Sequence, residues 1–144
     1  SMGVHCLVNQ IRLSLLDRKS EEVVDAASTL GIGTVAFSPL CQGVLTGKYL
    51  SGIPSDSRMG TGAFTRPESV TEEMMEKTRK LSVLAKKKGV SLTNFSLAWI
   101  LSHQSVTSVI LGARNMMQIE ENLEALSVPA FTAEELAEID AICD

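Results

Sequence analysis

The chain has 144 residues, 44% hydrophobic and 21% charged, with a formal net charge of -4. That length is enough for a buried core, and scattered basic residues under a net acidic charge argue against a nucleic-acid partner. No apolar run approaches the roughly 20 residues that span a bilayer, so neither membrane insertion nor a signal peptide is expected.

Ser1-Met2 reads as an expression remnant, so residues 1–3 are set aside and residues 4–144 are taken as one domain. Val4–Ile11 ("VHCLVNQI") is apolar enough for a buried strand. Ser20–Leu30 has helical spacing, with Val23, Val24, Ala27 and Leu30 apolar, Ser20 as the N-cap and acids in the first turn. Gly31 and Gly33 are expected to end that helix. Thr34–Phe37 ("TVAF") is a short β-prone run stopped by Ser38-Pro39.

From about Cys41 to Pro67 the chain is irregular and holds five of the ten glycines: Gly43, Gly47, Gly52, Gly60 and Gly62. A loop longer than about 12–15 residues inside a compact domain is functional or disordered as a rule. Ser69-Val70-Thr71-Glu72 fits a capping box, opening a helix to about Lys88 that ends at Gly89. Lys86–Lys88 is the one basic run, and it complements the helix dipole. Ser91 caps the next helix, "LTNFSLAWILSH", with Leu92, Phe95 and Trp99 on one face. The glycosylation sequon Asn94-Phe95-Ser96 falls inside that helix and is discounted.

Ser108–Leu111 reads as a buried strand, and Asn115–Leu126 as a capped helix with Met116, Ile119, Leu123 and Leu126 apolar. Thr132-x-x-Glu135 is a capping box for a last helix carrying Leu136 and Ile139. Strands alternating with helices imply an α/β fold with parallel strands. Three strands are few for a free-standing sheet. A whole (β/α)8 barrel takes about 250 residues, so the length is that of about half of one.

The usual catalytic signatures are missing. His5 and His103 lie outside any nucleophile motif and read as structural or surface histidines. There is no H-E-x-x-H, G-x-S-x-G or G-x-G-x-x-G. In "GVLTGKY", Gly43 and Gly47 stand one residue too close for a phosphate loop, and Tyr49 replaces its Ser/Thr. Cys6, Cys41 and Cys143 lack C-x-x-C spacing, so no metal site or disulfide framework is expected; reduced, mostly buried thiols in a cytoplasmic protein are.

What remains is three strand ends with polar residues: Asn9-Gln10, Ser38, and Gly112–Asn115. In parallel strands these ends share one face, the face on which barrels build their sites. Gln10 offers a carbonyl and an amide to a ligand carboxamide. Phe37 offers a flat apolar face. Ser38 and backbone N–H groups between Leu40 and Gly47 are candidates for phosphate oxygens. The helix after Asn115 favours an anion at its N-terminus, near Arg114.

The segments "VNQIRLSLLDR", "VAFSPLCQGVLTGKY", "GVSLTNFSLAWILSHQSVTSVI" and "SVILGARNMMQIEENLEAL" follow one another as in the C-terminal half of aldo-keto reductases. They most resemble the branch that holds the bacterial general reductases and the potassium-channel beta subunits. The resemblance covers nearly the whole chain after Gly3. It implies the C-terminal half of a (β/α)8 TIM barrel, about three parallel strands with surrounding helices, binding NADP(H) across the strand C-termini.

By that resemblance Gln10 meets the nicotinamide carboxamide and Phe37 stacks on the nicotinamide ring. Ser38, Leu40, Gly43, Thr46 and Lys48 match the pyrophosphate segment. Gly112, Arg114 and Gln118 match the segment around the adenosine 2′-phosphate, with Arg114 its partner, because a guanidinium forks onto phosphate. Glu121 and Asn122 match the adenine-contacting pair.

The family's catalytic tetrad (Asp, Tyr, Lys and His) comes from the first half of the barrel. No segment here matches it, and Tyr49 belongs to the "TGKY" loop. The expectation is therefore an oxidoreductase half that binds cofactor for hydride transfer to small-molecule aldehydes or ketones, without catalytic residues and inactive alone. The alternative is a non-catalytic nucleotide-sensing or partner-docking module. A half barrel leaves two open sheet edges, which favour self-association or docking to an N-terminal half.

Overall fold

The computed structural model describes residues 3–52 and 70–144. Three parallel strands, β1 (Val8–Arg12), β2 (Gly33–Phe37) and β3 (Val106–Val109), form one sheet in the order β1-β2-β3. Gln10 stands beside Val35, and Arg12 beside Phe37. The β2–β3 register slips between Thr34 and Val35. This is an open α/β sheet, not a closed barrel.

Each strand is placed differently from the sequence expectation. β1 starts four residues later than expected and runs on to Arg12, while His5 and the Cys6 thiol before it lie exposed. β3 begins two residues early and stops at Val109, so Ile110 and Leu111 are exposed rather than core. Gly33 opens β2 instead of closing the helix before it. An apolar run marks where a strand can lie; the hydrogen-bond register decides where it starts.

One face of the sheet is packed. Ile11 and Ala36 meet α2 (Glu72–Lys88), α3 (Leu92–Leu101) and α5 (Ala133–Cys143) in a core built on Trp99, Phe95, Leu81, Leu13, Leu45 and Ile139. α3 carries the densest part, because nearly every residue from Leu92 to Ile100 is buried and a helix apolar on all sides belongs inside. Phe95 meets Phe131 edge-on with ring centroids 5.1 Å apart.

The helix ends follow their capping chemistry. Ser91 accepts from the Asn94 N–H, and Thr132 with Glu135 closes a full capping box. α2 is capped by Thr71, whose hydroxyl accepts from Met74 N, and not by the expected Ser69, which lies outside the described residues together with Ser1-Met2. Gly89 ends α2 at φ 79. Ser20 sits at the N-cap of α1 (Glu21–Thr29) but makes no side-chain cap bond.

The basic end of α2 is tied down. Lys88 pairs with Glu135 at 2.7 Å and lies over the Phe131 ring, while Lys87 reaches Glu138. The Lys88 ammonium holds the Glu135 carboxyl below its ordinary value. On the other side, Arg18 reaches Glu21 at 2.6 Å and Asp140 at 2.9 Å and covers Trp99. Glu21 also accepts from His103 at 3.1 Å, which gives that histidine a structural place. Burial alone would raise the Glu21 carboxyl, but the hydrogen bonds from Arg18 and His103 outweigh it and hold it below its ordinary value.

The other sheet face is open. Val8, Gln10 and Arg12 alternate on it and are exposed, opposite the buried Ile11. α4 (Met116–Leu123) buries none of its residues. Among the described residues no helix is long and apolar enough to cross a membrane.

Candidate functional site

A cleft of about 1060 Å³ opens at the C-terminal ends of β2 and β3. Its first wall is the turn after β2. Ser38, Cys41 and Gln42 have φ of 54, 46 and 57, and Gly43 follows at φ 93. Left-handed backbone at three non-glycine sites of one turn is strain of the sort that clusters at functional sites. The turn leads into a 3-10 segment, Cys41–Thr46, an element the sequence did not announce. The Cys41 thiol is buried under it, and burial pushes its pKa up.

The turn is braced internally. The N–H groups of Cys41, Gly43, Leu45 and Gly47 donate to Ser38, Leu40, Leu40 and Val44 carbonyls. These four are therefore already used, which corrects the expectation that this stretch offers its N–H groups freely to phosphate. The charge comes from Lys48, whose Nζ lies over the Tyr49 ring at 4.8 Å. A Cβ at Gly43 would come within 2.9 Å of Lys48 Cε and Nζ, so the missing side chain at 43 makes room for the lysine.

The second wall is the chain after β3. Ile110 N donates to Ala36 O, which carries Ile110 and Leu111 past the sheet as cleft lining. Asn115 caps α4 by accepting from Gln118 N, and the Gln118 side chain reaches back to accept from Arg114 N at 2.8 Å. This reciprocal pair fixes the Gly112–Asn115 turn, so Gln118 braces the loop as well as lining the cleft.

α4 turns its polar side inward. Gln118, Glu121 and Asn122 line the cleft at i, i+3 and i+4. Met116, Ile119 and Leu123 are exposed, and Leu126 beyond the helix is 72% exposed. The helix expected to run to Leu126 ends at Leu123, and its apolar residues lie open rather than packed.

The cleft brings together eleven of the twelve residues singled out from the sequence: Phe37, Ser38, Leu40, Gly43, Thr46 and Lys48 from one wall, with Gly112, Arg114, Gln118, Glu121 and Asn122 from the other. Gln10 is the exception. It is mid-strand, not at a strand end, and does not line the cleft. It does share the open sheet face with Phe37, since its neighbour Val35 lies two residues before Phe37 on β2. The sequence reading missed Gln42, Ser91, Thr93, Asn94 and Glu124, which also line the cleft. Ser91 was legible as a cap, but nothing in its spacing says that the N-terminus of α3 faces the cleft. Among the described residues no cluster of three or more His, Cys, Asp or Glu is placed to hold a metal.

The model of the aldo/keto reductase family matches residues 2–144. The chain belongs to this family. Its relatives include the L-glyceraldehyde 3-phosphate reductase of Escherichia coli K12, 41% identical over 93% of this chain and 40% of that protein. They also include a probable voltage-gated potassium channel beta subunit of rice, 38% identical over 94% of this chain and 43% of that protein. A glycerol dehydrogenase structure from Gluconobacter oxydans superposes with a TM-score of 0.74 at 27% identity, covering 94% of this chain and 41% of that one. The chain thus spans about two fifths of the length of these aldo/keto reductase relatives.

Proposed function

We propose that the cleft binds NADP(H), and that these residues are the cofactor-holding half of an NADP(H)-dependent aldo/keto reductase. The observation that carries the reading is the convergence of eleven residues, from two segments some seventy positions apart, on one cleft. Its volume of about 1060 Å³ is on the scale of a site for an extended cofactor. The cleft has an aromatic face at Phe37 and two cations, Lys48 and Arg114, as a ligand with a flat ring to stack and several phosphates requires.

When bound, the reduced nicotinamide supplies hydride to an aldehyde or ketone carbon. The chain's own part is to position it. Phe37 offers its ring face as a platform, with Gln10 on the same sheet face for the carboxamide. Lys48, folded against Gly43, neutralises pyrophosphate charge. Arg114, set by the Asn115–Gln118 brace, takes the 2′-phosphate. Calorimetric titration tests this. NADPH is expected to bind about tenfold more tightly than NADH, and Arg114→Ala to abolish the difference, since a charge-assisted pair to phosphate is worth about 1.5–3 kcal/mol. Equal affinities in the unaltered chain overturn the 2′-phosphate assignment.

The 144 residues include no segment matching the family's proton-donating tetrad. A positioned donor contributes about 10²–10⁴-fold. The chain alone is therefore expected to bind cofactor without reducing carbonyls. Turnover by purified protein of verified mass contradicts this.

The uncovered apolar stripe of α4 and the open sheet face favour a second reading, a partner-docking or nucleotide-sensing module. On either reading the open edges of β1 and β3 fit association with another copy or with an N-terminal half barrel. Sedimentation that finds only monomer at high concentration counts against self-association.

A further inference from the structure

We propose that Asn94 positions Glu124 to recognise an exocyclic amino group on the ligand's base, making the pair a specificity determinant of the cleft. The inference rests on the dinucleotide reading above and adds to it two residues that reading does not use.

Asn94 is the third residue of α3 and only 5% exposed, yet it lines the cleft. Its Nδ2 donates to Glu124 Oε2 at 3.2 Å, across from the 3-10 turn Glu124–Ser127 that follows α4. A carboxylate only accepts, so this contact fixes which way the amide points. The carbonyl Oδ1 is then left buried, and among the described residues it has no hydrogen-bond partner. A buried acceptor without a donor is unfavourable, and such groups are rare in native proteins. For stability alone, an apolar side chain of similar volume would serve better at position 94. The asparagine makes sense through what it holds: an otherwise exposed carboxylate, kept against the cleft.

The chemistry around it names the ligand group. Glu121 and Glu124 both line this part of the cleft, while the cations Lys48 and Arg114 belong to the turns after β2 and β3. A base bound beside two carboxylates must present N–H groups to them. An aminopurine does so through its 6-amino group. A 6-oxopurine places a carbonyl oxygen there and meets like charge instead.

The test compares NADPH with its hypoxanthine analogue, in which oxygen replaces the 6-amino group, by calorimetry on the chain as it stands. The unaltered protein is expected to prefer NADPH about tenfold. Asn94→Leu is expected to reduce that preference to within about twofold while melting no lower than the unaltered chain, an outcome that a purely structural role would reverse. Glu124→Ala, at an exposed position, gives the same loss of preference should Asn94→Leu not fold. Equal binding of the two dinucleotides by the unaltered chain overturns this inference alone, and so does an undiminished preference in Glu124→Ala. Binding of neither overturns the proposed function and this inference together.

Discussion

The two faces of the sheet are treated in opposite ways. On one face Ile11 and Ala36 lie under three helices and a core centred on Trp99 and Phe95. On the other, Val8, Gln10 and Arg12 are exposed. Among the helices there is a matching contrast: α4, which touches α3 and the 3-10 turn after it, keeps Met116 67% exposed. Hydrophobicity does not distinguish a packed helix from an uncovered one: α4 has a clear apolar stripe and α2 is largely charged. The difference is that the apolar side of α2 has neighbours. Amphipathicity says that a helix has a face to bury; it does not say that a partner is present.

The sharpest way to break the comparison is to cut one residue from each side. Trp99→Ala is expected to cost about 3–5 kcal/mol in denaturant unfolding, since it opens a large cavity in a closed core. Leu123→Ala on α4 is expected to stay within about 0.5 kcal/mol. Similar losses would mean that the α4 stripe is covered in solution.

A smaller effect separates the cleft's strained turn from the packed face. Gly43→Ala meets both a φ of 93 and a Cβ position 2.9 Å from Lys48. It is expected to cost about 1–3 kcal/mol and to weaken NADPH binding by displacing the lysine. Gly89→Ala, at φ 79 with open space around it, serves as the control. It should lose stability but keep binding.

The smallest effect is a pH dependence on the packed side. Folding lowers the Glu21 carboxyl from its ordinary value of 4.5. The stabilisation is therefore present above that value and is lost as pH falls through the lowered one. Melting temperatures at neutral and acid pH should fall more in the unaltered chain than in Glu21→Gln. Arg18 and His103 face this carboxylate, and Arg18 also meets Asp140 and Asp144. An equal fall in both proteins removes Glu21 from the acid response.

The sequence was sufficient where the physics is local. Ser91 and Thr132 cap their helices because a hydroxyl reaches an N–H three residues on. The parallel order of strands follows from the helices between them, and eleven residues of the cleft were legible because two short segments that resemble the family carry them. Ser69 misled because Thr71, two residues later, offers the same hydroxyl to the helix start.

What only the tertiary structure decided depends on relations between segments. It set the register that places Gln10 mid-strand, and it joined Asn94 to Glu124 across thirty positions. It also turned the polar side of α4 into the cleft. These depend on which surfaces meet, and no periodicity along a single segment encodes its neighbour.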